Sequence, residues 1–133
     1  MKLTTKSEYS LLALIYIARY EEKGFININE ICTKYNIPKK YLEYLLSALK
    51  QNGYVKAKRG IGGGYKLARP AEKINVAQIV RLMDGALAPT HSVSTFFFSH
   101  TPLEQEKKIT KVFRDIRNFI AQKLENLRLS DLI

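Results

Sequence analysis

The 133-residue chain has one cysteine, Cys32, which excludes an intrachain disulfide and every multi-cysteine zinc pattern. Nothing about that lone thiol implies an oxidising compartment. Long apolar runs are also missing. Leu11–Ala18 follows Lys2 and Lys6 much as a signal peptide would, but it is eight residues long and preceded by Glu8. It has no small-residue cleavage site, and a membrane span needs roughly 20 apolar residues. The expectation is a cytoplasmic protein with no membrane partner. The only two histidines, His91 and His100, lie nine apart in a predicted loop without cysteines or paired carboxylates nearby. They assemble neither a metal site nor a nucleophile–base–orienter set, so no metal, cofactor or enzymatic activity is expected.

Acidic residues are scarce too. Lys and Arg number 22 against 12 Asp and Glu, a net charge of +10. Residues 1–70 hold 13 basic and 5 acidic side chains, and residues 71–133 hold 9 and 7. A strongly basic half joined to a near-neutral one points to a polyanion partner for the first part and a different role for the second.

Helix boundaries are legible from capping patterns, in which a short polar residue is followed three positions later by Glu or Gln. Thr5/Glu8 and Thr101/Glu104 fit directly, the latter with Pro102 at the first helical position. Asn27/Glu30 and Asn75/Gln78 are looser versions, each Asn preceded by an isoleucine. Helices are predicted at about 5–20, 28–35, 38–51, 75–84 and 102–128. The first is apolar on nearly every side and so needs more than one neighbour. The third carries Leu42, Leu45, Leu46 and Leu49 at i, i+3, i+4 and i+7. Between the third and fourth, Tyr54–Arg59 and Tyr65–Arg69 alternate about a glycine-rich turn, the pattern of a β-hairpin.

The fold class that follows is mainly α with a small hairpin: a winged helix-turn-helix plus a long C-terminal helix. The expected division is 1–85 for DNA binding, 86–101 as a loop, and 102–133 for dimerisation. At 1.5 Å per residue the last helix would run about 40 Å, too long to hide its apolar stripe against its own globule. Ile109, Val112, Phe113, Ile116, Phe119 and Ile120 are therefore expected to meet a second copy in a two-fold homodimer.

Burying the four leucines of the third helix turns Lys39, Lys40, Tyr41, Glu43, Tyr44, Ser47 and Lys50 outward. Lys can donate to guanine O6 or N7 and Glu can accept from the cytosine amino group, so this helix is the expected reader of double-stranded DNA. From Lys50 to Arg69 there are six basic residues and no acid. Lys58 and Arg59 lead into the hairpin tip, where a narrow minor groove would attract the guanidinium. Gly62, Gly63 and Gly64, followed by Tyr65, would let the backbone approach phosphates closely. They do not make a nucleotide-binding loop, because a strand follows them rather than a helix. Cys32 faces inward and reads as an inert small hydrophobe. Phe96, Phe97 and Phe98 are expected to pack beneath the paired helices. The alternative is a surface for a small-molecule or protein effector, which would make the chain a protein-interaction module with DNA binding secondary.

Thr4-Thr5-Lys6 with Tyr9, Ile37 with Tyr41-Leu42-Glu43, Arg59-Gly60 with Gly62-Gly63-Gly64-Tyr65, and Leu67-Ala68-Arg69-Pro70 resemble the Rrf-two family of bacterial winged-helix transcription regulators. The likeness continues through Ile79, Gly85 and Ala88-Pro89 to Leu129-Ser130-Asp131-Leu132. It implies a homodimer on a palindromic promoter site, with Tyr41 and Glu43 on the reading helix and Arg59 as the wing arginine. Repression is the implied output. Sensing members carry three cysteines in the loop before the last helix, whereas residues 90–100 here contain none. Glu8 matches a glutamate used as an unusual ligand in some members, but no thiolate accompanies it. No iron–sulfur cluster is expected.

Overall fold

The computed structural model describes residues 1–133 as five α-helices and one hairpin: α1 (Thr5–Arg19), α2 (Ile28–Tyr35), α3 (Lys39–Gln51), β1 (Val55–Lys58), β2 (Gly64–Leu67), α4 (Val76–Asp84) and α5 (Lys107–Glu125). No helix is long and apolar enough to cross a membrane. The winged helix-turn-helix expected from the sequence is present. α2 ends at Asn36 in the left-handed region (φ 54°), and Pro38 opens α3. The four leucines of α3 are all fully buried.

α1 is the central post. Four of its six buried positions are small (Ser7, Ser10, Ala13 and Ala18, beside Leu14 and Ile17), which lets α3, α4 and the hairpin pack closely around it. The cap is Thr4 rather than Thr5: Thr4 Oγ1 accepts from the Lys6 N–H at 3.2 Å, and the expected Thr5/Glu8 box does not form. The choice between two adjacent threonines is settled by tertiary contact. Thr4 donates through both its hydroxyl and its backbone N–H to the Asp84 carboxylate at the end of α4. The Asn caps form at Asn27 and Asn75, each accepting from the N–H two residues on. Their partners are drawn elsewhere: Glu30 accepts from Tyr16 and Gln78 from Tyr54.

Burial alone would push the Asp84 carboxyl up, but polar groups of Ser7 and Thr4 outweigh it and hold the group below the usual carboxylate range. A depressed folded-state value contributes stability that is fully present above the unfolded value of about 3.9 and is lost as pH falls through the folded one. In acid titrations of unfolding free energy, the gap between wild type and Asp84→Asn should therefore close as pH drops below about 4. A gap that stays constant to pH 2 would remove Asp84 from the account.

The hairpin is antiparallel with Val55 opposite Leu67 and Lys58 opposite Gly64. A third segment joins it: Ile26 and Tyr65 exchange backbone hydrogen bonds of 2.7 and 2.8 Å, tying the wing to the chain just before α2.

The C-terminal region departs most from expectation. Glu104 accepts from the Thr101 N–H at 3.3 Å, but Pro102–Gln105 makes only a 3₁₀ turn, and Glu106 (φ −108°, ψ 97°) breaks the helix before α5 begins. α5 stops at Glu125, so it spans about 28 Å rather than 40 Å. Leu127 packs on the small cluster around α4, while Leu129 enters the main core and its N–H donates to Ile74 O at 2.9 Å. In a continuing helix these two side chains would point about 200° apart, so the chain uncoils to bury both.

Candidate nucleic-acid interface

α3 presents Lys39, Lys40, Glu43, Tyr44, Ser47 and Lys50 to solvent, as the leucine spacing required. Tyr41 is the exception and is half-buried. Its hydroxyl lies 3.0 Å from Thr5 Oγ1, and its ring meets Tyr9 edge-on and stacks on Tyr44. Tyr41 thus links α3 to α1 and holds Tyr44 in place, while Tyr44 itself is 58% exposed.

Between α3 and the wing runs a groove of about 260 Å³ lined by Ser47, Lys50, Ala57, Lys58, Arg59, Gly64 and Tyr65. Three cations and two hydroxyls face it. Burial and then the nearby Glu43 charge raise the Tyr65 hydroxyl, which keeps it a protonated donor at neutral pH. Lys58 and Lys66 each sit 5.9 Å from the Phe25 ring, which braces the wing while leaving Lys58 exposed. Arg69 is not available to a ligand. It donates to Gly53 O and Asn52 O and stacks 4.4 Å from the Tyr54 ring.

The glycines of the wing divide by role. Gly60 (φ 88°) and Gly62 (φ 73°) are exposed and shape the tip. A Cβ on Gly63 would strike the Lys58 carbonyl, and one on Gly64 would strike the Ile26 carbonyl. These two are required by the chain's own packing, and half-burial leaves them poorly placed to approach phosphates. The tip also carries Ile61, fully exposed between Gly60 and Gly62. Its signal in the sequence was an apolar side chain isolated among glycines.

Of the six apolar α5 residues expected at a subunit contact, Ile109, Val112, Ile116 and Phe119 are open on one face, 38–64% exposed. Phe113 is half-buried, and Ile120 turns into its own chain, against Val76, Ala77, Val80 and Leu87. Phe96, Phe97 and Phe98 do not pack beneath α5 of their own chain. They are 41–68% exposed, and Phe96 lies over the Arg81 guanidinium at 4.7 Å while Arg81 pairs with Glu125 at 2.6 Å. Cys32 is half-buried, and burial pushes its thiol up despite the lowering influence of Lys39, which favours the protonated thiol at neutral pH.

A family model described as "Rrf2: Iron-dependent Transcriptional regulator" matches residues 3–133. The HTH-type transcriptional regulator IscR of Cereibacter sphaeroides is 32% identical over 135 residues, covering 100% of this chain and 87% of that one. Among solved structures, CymR, the global cysteine regulator of B. subtilis, superposes with TM-score 0.80 at 29% identity, covering 99% of this chain and 95% of that one. IscR of T. potens superposes with TM-score 0.71 at 27% identity, covering 99% and 85%.

The family description implies iron, and the residues present do not fit an iron–sulfur cluster. No three His, Cys, Asp or Glu side chains converge on a point where an ion could sit. Residues 90–100 supply no thiolate; His91 Nδ1 faces the Phe97 carbonyl at 2.9 Å and His100 Nδ1 faces Glu104.

Proposed function

The chain belongs to the Rrf2 family of transcriptional regulators, and from that premise we propose that it is a cluster-free repressor acting as a homodimer on a palindromic promoter site. Members of the family bind DNA and regulate transcription; they are not enzymes. The observation that carries the finer reading is the groove where Ser47 and Lys50 on the exposed side of α3 meet Lys58 and Arg59 of the wing. Residues 1–85 form the DNA-binding part, 86–101 the connecting loop and 102–133 the dimerisation arm.

In this reading Lys39, Lys40, Glu43 and Tyr44 enter the major groove, with Glu43 accepting from a cytosine amino group. Arg59 follows the wing into the adjacent minor groove, and Lys50 and Lys58 neutralise phosphates between them. Tyr65 donates from the groove wall, and Tyr41 positions Tyr44. The open α5 face meets its two-fold copy, which sets the spacing of the half-sites. A dimer seated over a promoter excludes polymerase, hence repression.

The exposed Phe96–Phe98 segment favours a second reading, in which a partner protein docks there and DNA binding is secondary. Two substitutions test the main one by fluorescence anisotropy on a panel of duplexes. Arg59→Ala should cost about 1–3 kcal/mol of affinity with the dimer intact. Glu43→Gln should change the ranking of duplexes more than the mean affinity. Unchanged affinity in the first, or uniform weakening in the second, would count against this use of the wing and reading helix.

A further inference from the structure

Lys107, Lys111 and Arg114 recur at i, i+4 and i+7 along α5, so they share one face. At 100° per residue that face lies about 150° around the helix from Ile109, Val112, Ile116 and Phe119. The basic face and the apolar stripe therefore do not overlap on the helix surface. The three cations line a depression of about 470 Å³ completed by Ser92, Glu104 and Thr110, with no apolar residue in its wall.

Its charges are unbalanced. None of the three cations has a carboxylate within 4.0 Å, since the ion pairs of the molecule are Arg81–Glu125 and His100–Glu104. The single acid in the wall, Glu104, is occupied by the Thr101 N–H and His100 Nδ1. At the floor, Ser92 is 7% exposed. Its Oγ accepts from Thr101 Oγ1 at 2.9 Å, and its only other contact, Thr90 Oγ1 at 3.5 Å, is long. The Ser92 hydroxyl hydrogen is therefore free to serve an anion. Thr110 is a fixed wall, its hydroxyl turned to the carbonyls of Leu103 and Glu106. Three cations lining one depression beside a poorly used buried hydroxyl supply the donors that an oxygen anion needs, since charge-assisted hydrogen bonds are the strong ones.

We propose that this depression binds a small oxyanion carrying two or more negative groups, carboxylate or phosphate. The site is separate from both the DNA-facing groove and the Phe96–Phe98 segment, and its occupancy does not depend on the repressor reading. Isothermal titration of the full-length protein with citrate and with inorganic pyrophosphate, ionic strength held constant with potassium chloride, tests it and separates the two chemistries. The expected result is saturable binding of at least one of them at about one per chain. In the Lys107→Gln/Arg114→Gln double variant affinity should fall about tenfold or more, whereas Arg59→Ala, on the DNA-facing side, retains it. The proposal is overturned by the absence of saturable heat with both anions. Undiminished affinity in the double variant, or loss of binding in Arg59→Ala, would overturn it equally.

Discussion

Ile116→Asp is expected to halve the mass of the particle in solution and to weaken binding to a two-half-site duplex by about 10²–10⁴-fold. Ile116 is 39% exposed on a stripe with Ile109, Val112 and Phe119, which their own chain covers only in part. Fully removing a large apolar side chain from water contributes about 1.5–3 kcal/mol, and the exposed fractions of four on each protomer add up to a substantial drive for pairing. A carboxylate there would be buried without a partner, and near the axis it would face its own symmetry copy. Once the pair separates, the second winged domain is no longer tethered near the second half-site, and its effective concentration is lost. Because Ile116 lies outside the fold's own core, circular dichroism should remain that of wild type. Sedimentation should move from twice 15.3 kDa to 15.3 kDa. A wild-type monomer, or full affinity in the variant, would contradict this use of α5.

Gly64→Ala should cost about 2–4 kcal/mol of stability and abolish tight duplex binding together. Gly64 begins β2 at φ 145°, a region that disfavours side chains, and a Cβ there would overlap the Ile26 carbonyl. The neighbour is backbone, and its oxygen already accepts the Tyr65 N–H, so it cannot move without breaking the Ile26–Tyr65 pairing. The wing would lift from the segment before α2 and carry Lys58 and Arg59 away from α3. Gly62→Ala provides the contrast: nothing lies within 4 Å of its Cβ position, so only the cost of φ 73° remains. Chemical denaturation of both variants measures the difference. Equal, small losses would mean that the wing is not clamped at Gly64.

Much of this could be read from the amino acids. The four α3 leucines lie where their spacing put them, because a core-facing helix has one inner face and the residues opposite it must be outward. The hairpin likewise followed from alternation about glycines. What the residues did not reveal were choices made by distant parts of the chain. Thr4 caps α1 in preference to Thr5 because Asp84 is there to receive it. The final helix is short because Leu127 and Leu129 belong to different clusters. Ile120 follows the same heptad-like rhythm as Ile116, and only the position of α4 distinguishes inward from outward. Gly63 and Gly64 looked like openings for phosphate, yet the backbone they make room for is the protein's own. Arg69 was one of six basic residues in the Lys50–Arg69 stretch, and nothing in the sequence signalled that Tyr54 and two backbone carbonyls hold it.

In the proposed function, two cationic α3–wing surfaces grip one duplex together. This joint grip is tested most directly by the salt dependence of affinity for a two-half-site promoter fragment, selected from genomic DNA by the purified protein. Each phosphate neutralised contributes about −0.9 to the slope of log K against log salt. With about three or four contacts from each copy, the expected slope is about −5 to −7. A slope shallower than about −2 would contradict it and leave the exposed phenylalanine segment as the principal binding surface.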